Sequence, residues 1–225
     1  MREAYVLKNV RVWFEKKDQC IYISHLDLNR CMIRAIQKSR IPIWHTEGFN
    51  PHPFITFPMP LSLGFVGKKE CMDMRLLEDD FSFKEIIDRL NDCLPKGIRV
   101  FDVTEPKMKA GVIDKALYIL KLNCDETTPE ELLKKTEELF SRDEIMVDKK
   151  SKSGIKQVNL KEYLTDYTVS LVDDYVKIKI MLPAGSTLNV NPTLLVDALE
   201  KEYSLEIFPR VTRLNIFNKD GEEFA

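Results

Sequence analysis

Glycine is scarce in this chain, with eight residues in 225. Gly64 and Gly67 stand too far from the other glycines to build a phosphate cradle, and no GxxxxGK[ST], GxGxxG, GxSxG or HExxH pattern occurs. The common nucleotide-enzyme, hydrolase and metalloprotease signatures are therefore absent. Cysteine is limited to Cys20, Cys31, Cys71, Cys93 and Cys124. The number is odd and no two form a CxxC, so neither a zinc ribbon nor a thioredoxin-type site is expected. Reduced, mostly buried thiols in a reducing cytosol fit this usage. No apolar run approaches the roughly 20 residues of a membrane helix. The opening MREAYVLKNV has no apolar core of a signal peptide. A cytoplasmic protein without membrane association is the expectation. There is no excess of positive charge either: 34 Lys and Arg face 36 Asp and Glu, for a net charge of -2. Whole-chain charge thus argues mildly against nucleic acid, although a local basic face would escape this test.

What is present is a chain with 44% hydrophobic and 31% charged residues, long enough for two small domains. Residues 9–16, NVRVWFEK, alternate with the period of a strand. Ser24 is placed to cap a helix, with Asp27 in its first turn where a negative charge suits the positive helix end. The helix from His25 to about Ser39 carries Leu26, Leu28, Met32, Ile33, Ala35 and Ile36 on its expected apolar half. The stretch from His45 to Pro60 holds Pro51, Pro53, Pro58 and Pro60, which confines it to loop or sheet edge. Residues 70–77 alternate again. Ser82 caps a helix running to Leu94, Pro95-Lys96-Gly97 ends it, and residues 98–104 form another strand.

Glu105 to Asp114 reads as a connecting stretch, after which the order restarts. Residues 116–122 alternate, and Thr128, Pro129 and Glu131 open a helix to about Ser141. Ile145 to Val147 is short and extended. Residues 167–172 and 175–182 form a hairpin over Asp173-Asp174. Asn191-Pro192 starts a last helix through Glu202, and residues 205–208 and 211–217 are extended. Strand, helix, strand, strand, helix, strand is the split βαβ order. The expected fold is α+β, with two tandem ferredoxin-like domains on antiparallel sheets. They span residues 1–106 and 115–225, joined by a linker at 107–114.

All three histidines, His25, His45 and His52, fall in the first quarter of the chain, with Asp27, Glu47 and Asn50 among them. Three readings compete: a His–carboxylate metal site, which lacks the HxH or HxxxH spacing; acid–base chemistry at His25 with Asp27 or His52; or helix capping and local packing. Convergence of the first helix's start with the 45–53 loop is the condition for a shared site. No metal or cofactor is expected. Arg30, Arg34 and Lys38 recur at i, i+4 and i+8, so they share a helix face that Arg40 extends and that suits a phosphate backbone. Gly48, Phe49 and Asn50 lie in a proline-stiffened loop of the kind that makes binding edges. Lys149, Lys150 and Lys152, with Lys156, read as a flexible basic loop. Arg210 and Arg213 form a weaker third basic spot.

Ile23-Ser24-His25-Leu26-Asp27-Leu28 with Arg34, then Gly48-Phe49-Asn50-Pro51-His52-Pro53, then Pro60-Leu61-Ser62-Leu63-Gly64, together resemble the radical-SAM-linked protein family. The likeness is close over residues 10–77 and holds in outline beyond. It implies a domain that stands alone or follows a cobalamin-binding radical SAM protein, with a link to RNA modification or maturation. The CxxxCxxC motif of the radical SAM enzymes themselves is missing here. The tandem ferredoxin-like outline is also similar to the CRISPR repeat-cleaving endoribonucleases, which place a histidine near the first helix. Their glycine-rich C-terminal loop has no counterpart, since only Gly185 and Gly221 lie late. The resemblance thus implies an accessory protein that binds RNA or a radical SAM partner. The alternatives are a metal-independent endoribonuclease using His25, with Arg34 or Lys38 on the phosphate, and a purely structural docking partner.

Overall fold

The computed structural model describes residues 7–151 and 154–225. The chain divides into two compact units. The first ends at Val112 and takes in Phe224 and Ala225; the second is Ile113–Glu223.

In the first unit, β1 (Lys8–Lys16) leads through a 3-10 turn to α1 (His25–Ser39), followed by β2 (Ile55–Thr56), β3 (Val66–Leu76), α2 (Phe83–Cys93) and β4 (Ile98–Thr104). The strands lie in the order β4-β1-β3-β2, every pairing antiparallel. The start of α1 is set locally: Ser24 is extended and its hydroxyl accepts the Asp27 N–H at 3.1 Å. Its end is Arg40, held left-handed at φ 54°, after which Pro42 forbids continuation. Leu28, Met32, Ala35 and Ile36 turn inward onto Val10, Val12, Met72 and Met74. Leu26, expected on that face, is instead 68% exposed. At 100° per residue it lies about 160° from Leu28, and so on the far side of the helix.

The strand β1 departs from simple alternation. Val10, Val12 and Phe14 face the helices, but Arg11 and Trp13 on the opposite face are buried as well. Arg11 sits between Asp73 and the Met108 carbonyl, with the Phe224 ring 4.1 Å from its guanidinium. Trp13 donates to the Thr104 hydroxyl at 3.0 Å.

The proline-rich stretch is an interrupted edge strand. Ile43 bridges Leu76 and the Trp44 N–H donates to the Arg75 carbonyl. Pairing then resumes with Ile55 opposite Met74 and Thr56 opposite Asp73. Residues 45–54 are an excursion out of that edge, so the GFNPHP motif rides on its tip.

The second unit runs β5 (Ile113–Asn123), α3 (Pro129–Ser141), β6 (Met146–Ser151), β7 (Gly154–Asn159), a 3-10 turn, β8 (Tyr167–Val172), β9 (Tyr175–Pro183), α4 (Thr193–Tyr203) and β10 (Phe208–Asn218). Its main sheet has the order β10-β5-β9-β8, again antiparallel. Ala116, Tyr118, Leu120 and Leu122 of β5 oppose Leu182, Ile180, Ile178 and Val176 of β9, and all eight are buried. Thr128 caps α3 by accepting the Glu131 N–H at 3.2 Å, and Pro129 follows at the position where a missing N–H costs nothing. The basic segment around Lys149 and Lys156, expected as a flexible loop, is a paired β6–β7 hairpin in which these two lysines stand opposite each other. The strand β5 opens at Ile113, inside the stretch expected as linker. No helix among the described residues is long and apolar enough to cross a membrane.

Candidate functional site

Arg30, Arg34 and Lys38 line one side of a groove of about 610 Å³ beside α1. The end of α2 forms the other wall, with Asp92 and Cys93 facing the row of cations. Arg30 is paired with Asp27 at 3.2 Å. The Asp27 carboxyl is held below the usual carboxylate range, first by the Ser24 hydroxyl and then by Arg30. Arg34 and Lys38 are exposed and make no ion pair or side-chain hydrogen bond among the described residues. Two cations outside any ion pair thus share a concave surface with Asp92. Burial pushes the Cys31 thiol up, against the opposing pull of Arg34, so it stays protonated and unreactive at neutral pH. Arg40 is exposed and serves as the left-handed end of α1, its carbonyl accepting Arg89 Nη1 at 3.2 Å.

His25 opens α1 as its first residue. Its ring meets the edge of Phe57 with centroids 5.0 Å apart, and its Nδ1 is buried without a hydrogen-bond partner. Burial lowers its pKa first, and the nearby Lys16 charge lowers it further, so the imidazole is neutral at pH 7. Asp27 bonds Ser24 and Arg30 rather than His25. The orienting carboxylate expected for acid–base work at His25 is therefore engaged elsewhere.

The 45–54 excursion has its own contacts. Trp44 and Phe54 meet at its neck with centroids 5.5 Å apart, and the Arg75 guanidinium lies 5.1 and 4.9 Å from the two rings. His52 Nδ1 is 3.1 Å from both the Thr46 hydroxyl and the Asn50 carbonyl, and His45 Nδ1 donates to the Ile43 carbonyl. Gly48 has φ 133°, a conformation favouring glycine, and Phe49 is fully exposed. Each histidine is thus served by separate neighbours, and among the described residues no hydrogen bond or ring contact joins His25 or Asp27 to the 45–53 loop. What reaches His25 is the chain just beyond the excursion: Phe57 touches its ring, and the Gly64 N–H donates to the Ile21 carbonyl at 2.8 Å. The ISHLD and PLSLG segments are neighbours, with Tyr22, Leu26 and Leu63 exposed there.

In the second unit, Lys149 lies on β6 and donates to the Asn189 carbonyl at 2.5 Å. Lys150 belongs to β6 with its side chain outside the described residues, and Lys152 falls outside them altogether. Arg213, expected at a surface spot, is buried at 3% exposure on β10, while Arg210 is exposed. Alternation along β10 turns position 213 inward with Val211.

The Arg11–Asp73 pair escaped the sequence reading. Both residues lie on alternating strands, but only the β1–β3 register places them directly opposite, where Nε and Nη2 donate to the two carboxylate oxygens at 2.7 and 2.9 Å.

These features define an α+β protein of two antiparallel-sheet units with a cation-lined groove beside its first helix. The chain belongs to the family described as "Uncharacterized protein conserved in bacteria (DUF2344)", which matches residues 9–192. No curated protein matches the chain. Among solved structures, a protein of unknown function from Galdieria sulphuraria is similar at 11% identity and a TM-score of 0.27, over 91% of this chain and 98% of that one. A candidate transcriptional repressor of the glycine cleavage system is similar at 10% identity and a TM-score of 0.26, over 92% and 99%. Likenesses this distant define neither fold nor function.

Proposed function

We propose that this protein is a cytoplasmic accessory module that binds RNA, working with a radical SAM partner in RNA modification or maturation, and that each unit is a ferredoxin-like split βαβ. One observation carries the RNA reading: Arg34 and Lys38 line a groove and make no ion pair among the described residues, although the chain as a whole is slightly acidic. Here Asp27 is taken by Arg30, which leaves a short positive rail in a groove, the arrangement that follows a phosphate backbone. Phe49 at the excursion tip and Lys149 on the hairpin offer further contacts.

The test is RNA binding measured across salt. Affinity should fall steeply with salt. The Arg34→Glu/Lys38→Glu double variant should lower the slope of log K against log salt by about 1.4, the share of two phosphate contacts on a single strand. A flat salt response, or no binding at low salt, removes the RNA reading. The docking reading draws support from the exposed cluster Tyr22, Leu26 and Leu63. It predicts co-purification of a radical SAM protein that Leu26→Glu abolishes. The endoribonuclease reading now rests on a neutral His25 without an orienting carboxylate. It requires defined RNA cuts in chelator that His25→Ala eliminates.

A further inference from the structure

A second concave surface lies on the face of the first sheet opposite the helices. It encloses about 590 Å³, within the range of small-molecule sites. Asn9, Phe54, Thr56 and Asp73 come from the strands and the excursion neck; Lys107 and Lys109 come from the chain after β4.

The floor is built and charge-balanced. Arg11, fully buried, holds Asp73 through two hydrogen bonds and the Met108 carbonyl through a third. Its remaining Nη1 is buried with no partner. The Lys107 and Met108 N–H groups donate to Ala225, which pins the lysine-bearing segment. Of the acidic residues lining the cleft, Asp73 is neutralised by Arg11 and Glu105 by Lys8 at 3.2 Å. Lys107 and Lys109 are exposed at the cleft, with no ion pair or side-chain hydrogen bond among the described residues. Two neighbouring lysines can each donate to the terminal oxygens of a phosphate monoester, which carries about -1.5 to -2 at pH 7. A phosphodiester carries only one negative charge.

The rest of the cleft suits a nucleoside. Phe54 provides an aromatic wall whose geometry is fixed by Trp44 and Arg75. Bases stack on such rings with little regard to sequence. Asn9 uses its carbonyl oxygen to accept Arg75 Nε at 3.1 Å, which leaves its amide N–H groups for a ligand acceptor, and Thr56 adds a hydroxyl.

We infer that this cleft binds a nucleoside monophosphate, with the phosphate between Lys107 and Lys109 and the base against Phe54. The ligand is either a free nucleotide or the phosphorylated 5′ end of an RNA, and the site is separate from the α1 groove.

Isothermal titration of the full chain with adenosine 5′-monophosphate tests this. Adenosine and cyclic adenosine monophosphate serve as comparisons. The monophosphate should bind saturably and about tenfold or more tighter than either, since each charge-assisted hydrogen bond that is lost costs affinity on that scale. Lys107→Glu/Lys109→Glu should abolish the preference while leaving the melting temperature unchanged, because both lysines are exposed. A 5′-phosphorylated trinucleotide that binds as well as the mononucleotide identifies an RNA end; one that does not identifies the free nucleotide. Equal affinity for adenosine and its monophosphate, or unchanged binding by the double variant, overturns the proposal. Arg34→Glu/Lys38→Glu should bind the mononucleotide normally, so this result and the RNA result stand or fall separately.

Discussion

Arg11 is the bulkiest side chain that the fold hides completely. A guanidinium out of water is tolerable only where its donors find acceptors. Asp73 and the Met108 carbonyl take three of its hydrogen bonds, and Phe224 covers its face. His25 shows the opposite solution, a half-buried titratable ring held in its neutral form. Its folded pKa lies below the ordinary 6.5, so the unfolded chain takes up a proton that the folded chain resists. Its stabilising contribution is complete above about pH 6.5 and drains away as pH falls through the lowered value. Melting temperature should therefore drop between pH 7 and 5, and His25→Gln should remove part of that drop in a calorimetric pH series. An unchanged profile in the variant would place the acid sensitivity elsewhere. The histidine and the cation row were both legible in the sequence. Their partners were not, because a side chain's neighbours across a sheet depend on register.

Helix limits were the most legible elements because their signals are local. Ser24 and Thr128 each accept an N–H from the residue three further on, and both caps stand where the sequence placed them. Ser24→Ala and Thr128→Ala should each cost about 1 kcal/mol, measurable by urea unfolding followed by circular dichroism. A cost near zero at either position would show that tertiary packing alone holds that helix start. Extended segments were harder. The strand β2 keeps only two residues because pairing with β3 is broken by the 45–54 excursion. The prolines correctly exclude an interior strand, yet they do not reveal that residues 43–44 and 55–56 lie along the same partner. The β6–β7 hairpin was hidden for a related reason. Its lysines and serines lack the apolar alternation of a half-buried strand, since most of β7 is exposed, and backbone pairing alone leaves no hydrophobic trace.

In the whole molecule, the chain's last residues return to the first unit. Phe224 is fully buried against Arg11 there, so the integrity of that unit depends on a side chain more than 200 positions away. Phe224→Ala should destabilise the first unit by about 3–5 kcal/mol. Both tryptophans, Trp13 and Trp44, lie in that unit, so tryptophan fluorescence during urea unfolding reports on it alone. A midpoint equal to that of the unaltered protein would show the ring to be dispensable. The order of strands and helices in the first half, the caps and the basic helix face were determined by the sequence itself, because periodicity and capping act over three or four residues. Which strands pair, what covers the Arg11 face, and the packing of Phe57 against His25 were decided only by tertiary structure. Those outcomes depend on register and on contacts between residues distant along the chain, and a buried cation looks in sequence like any exposed one.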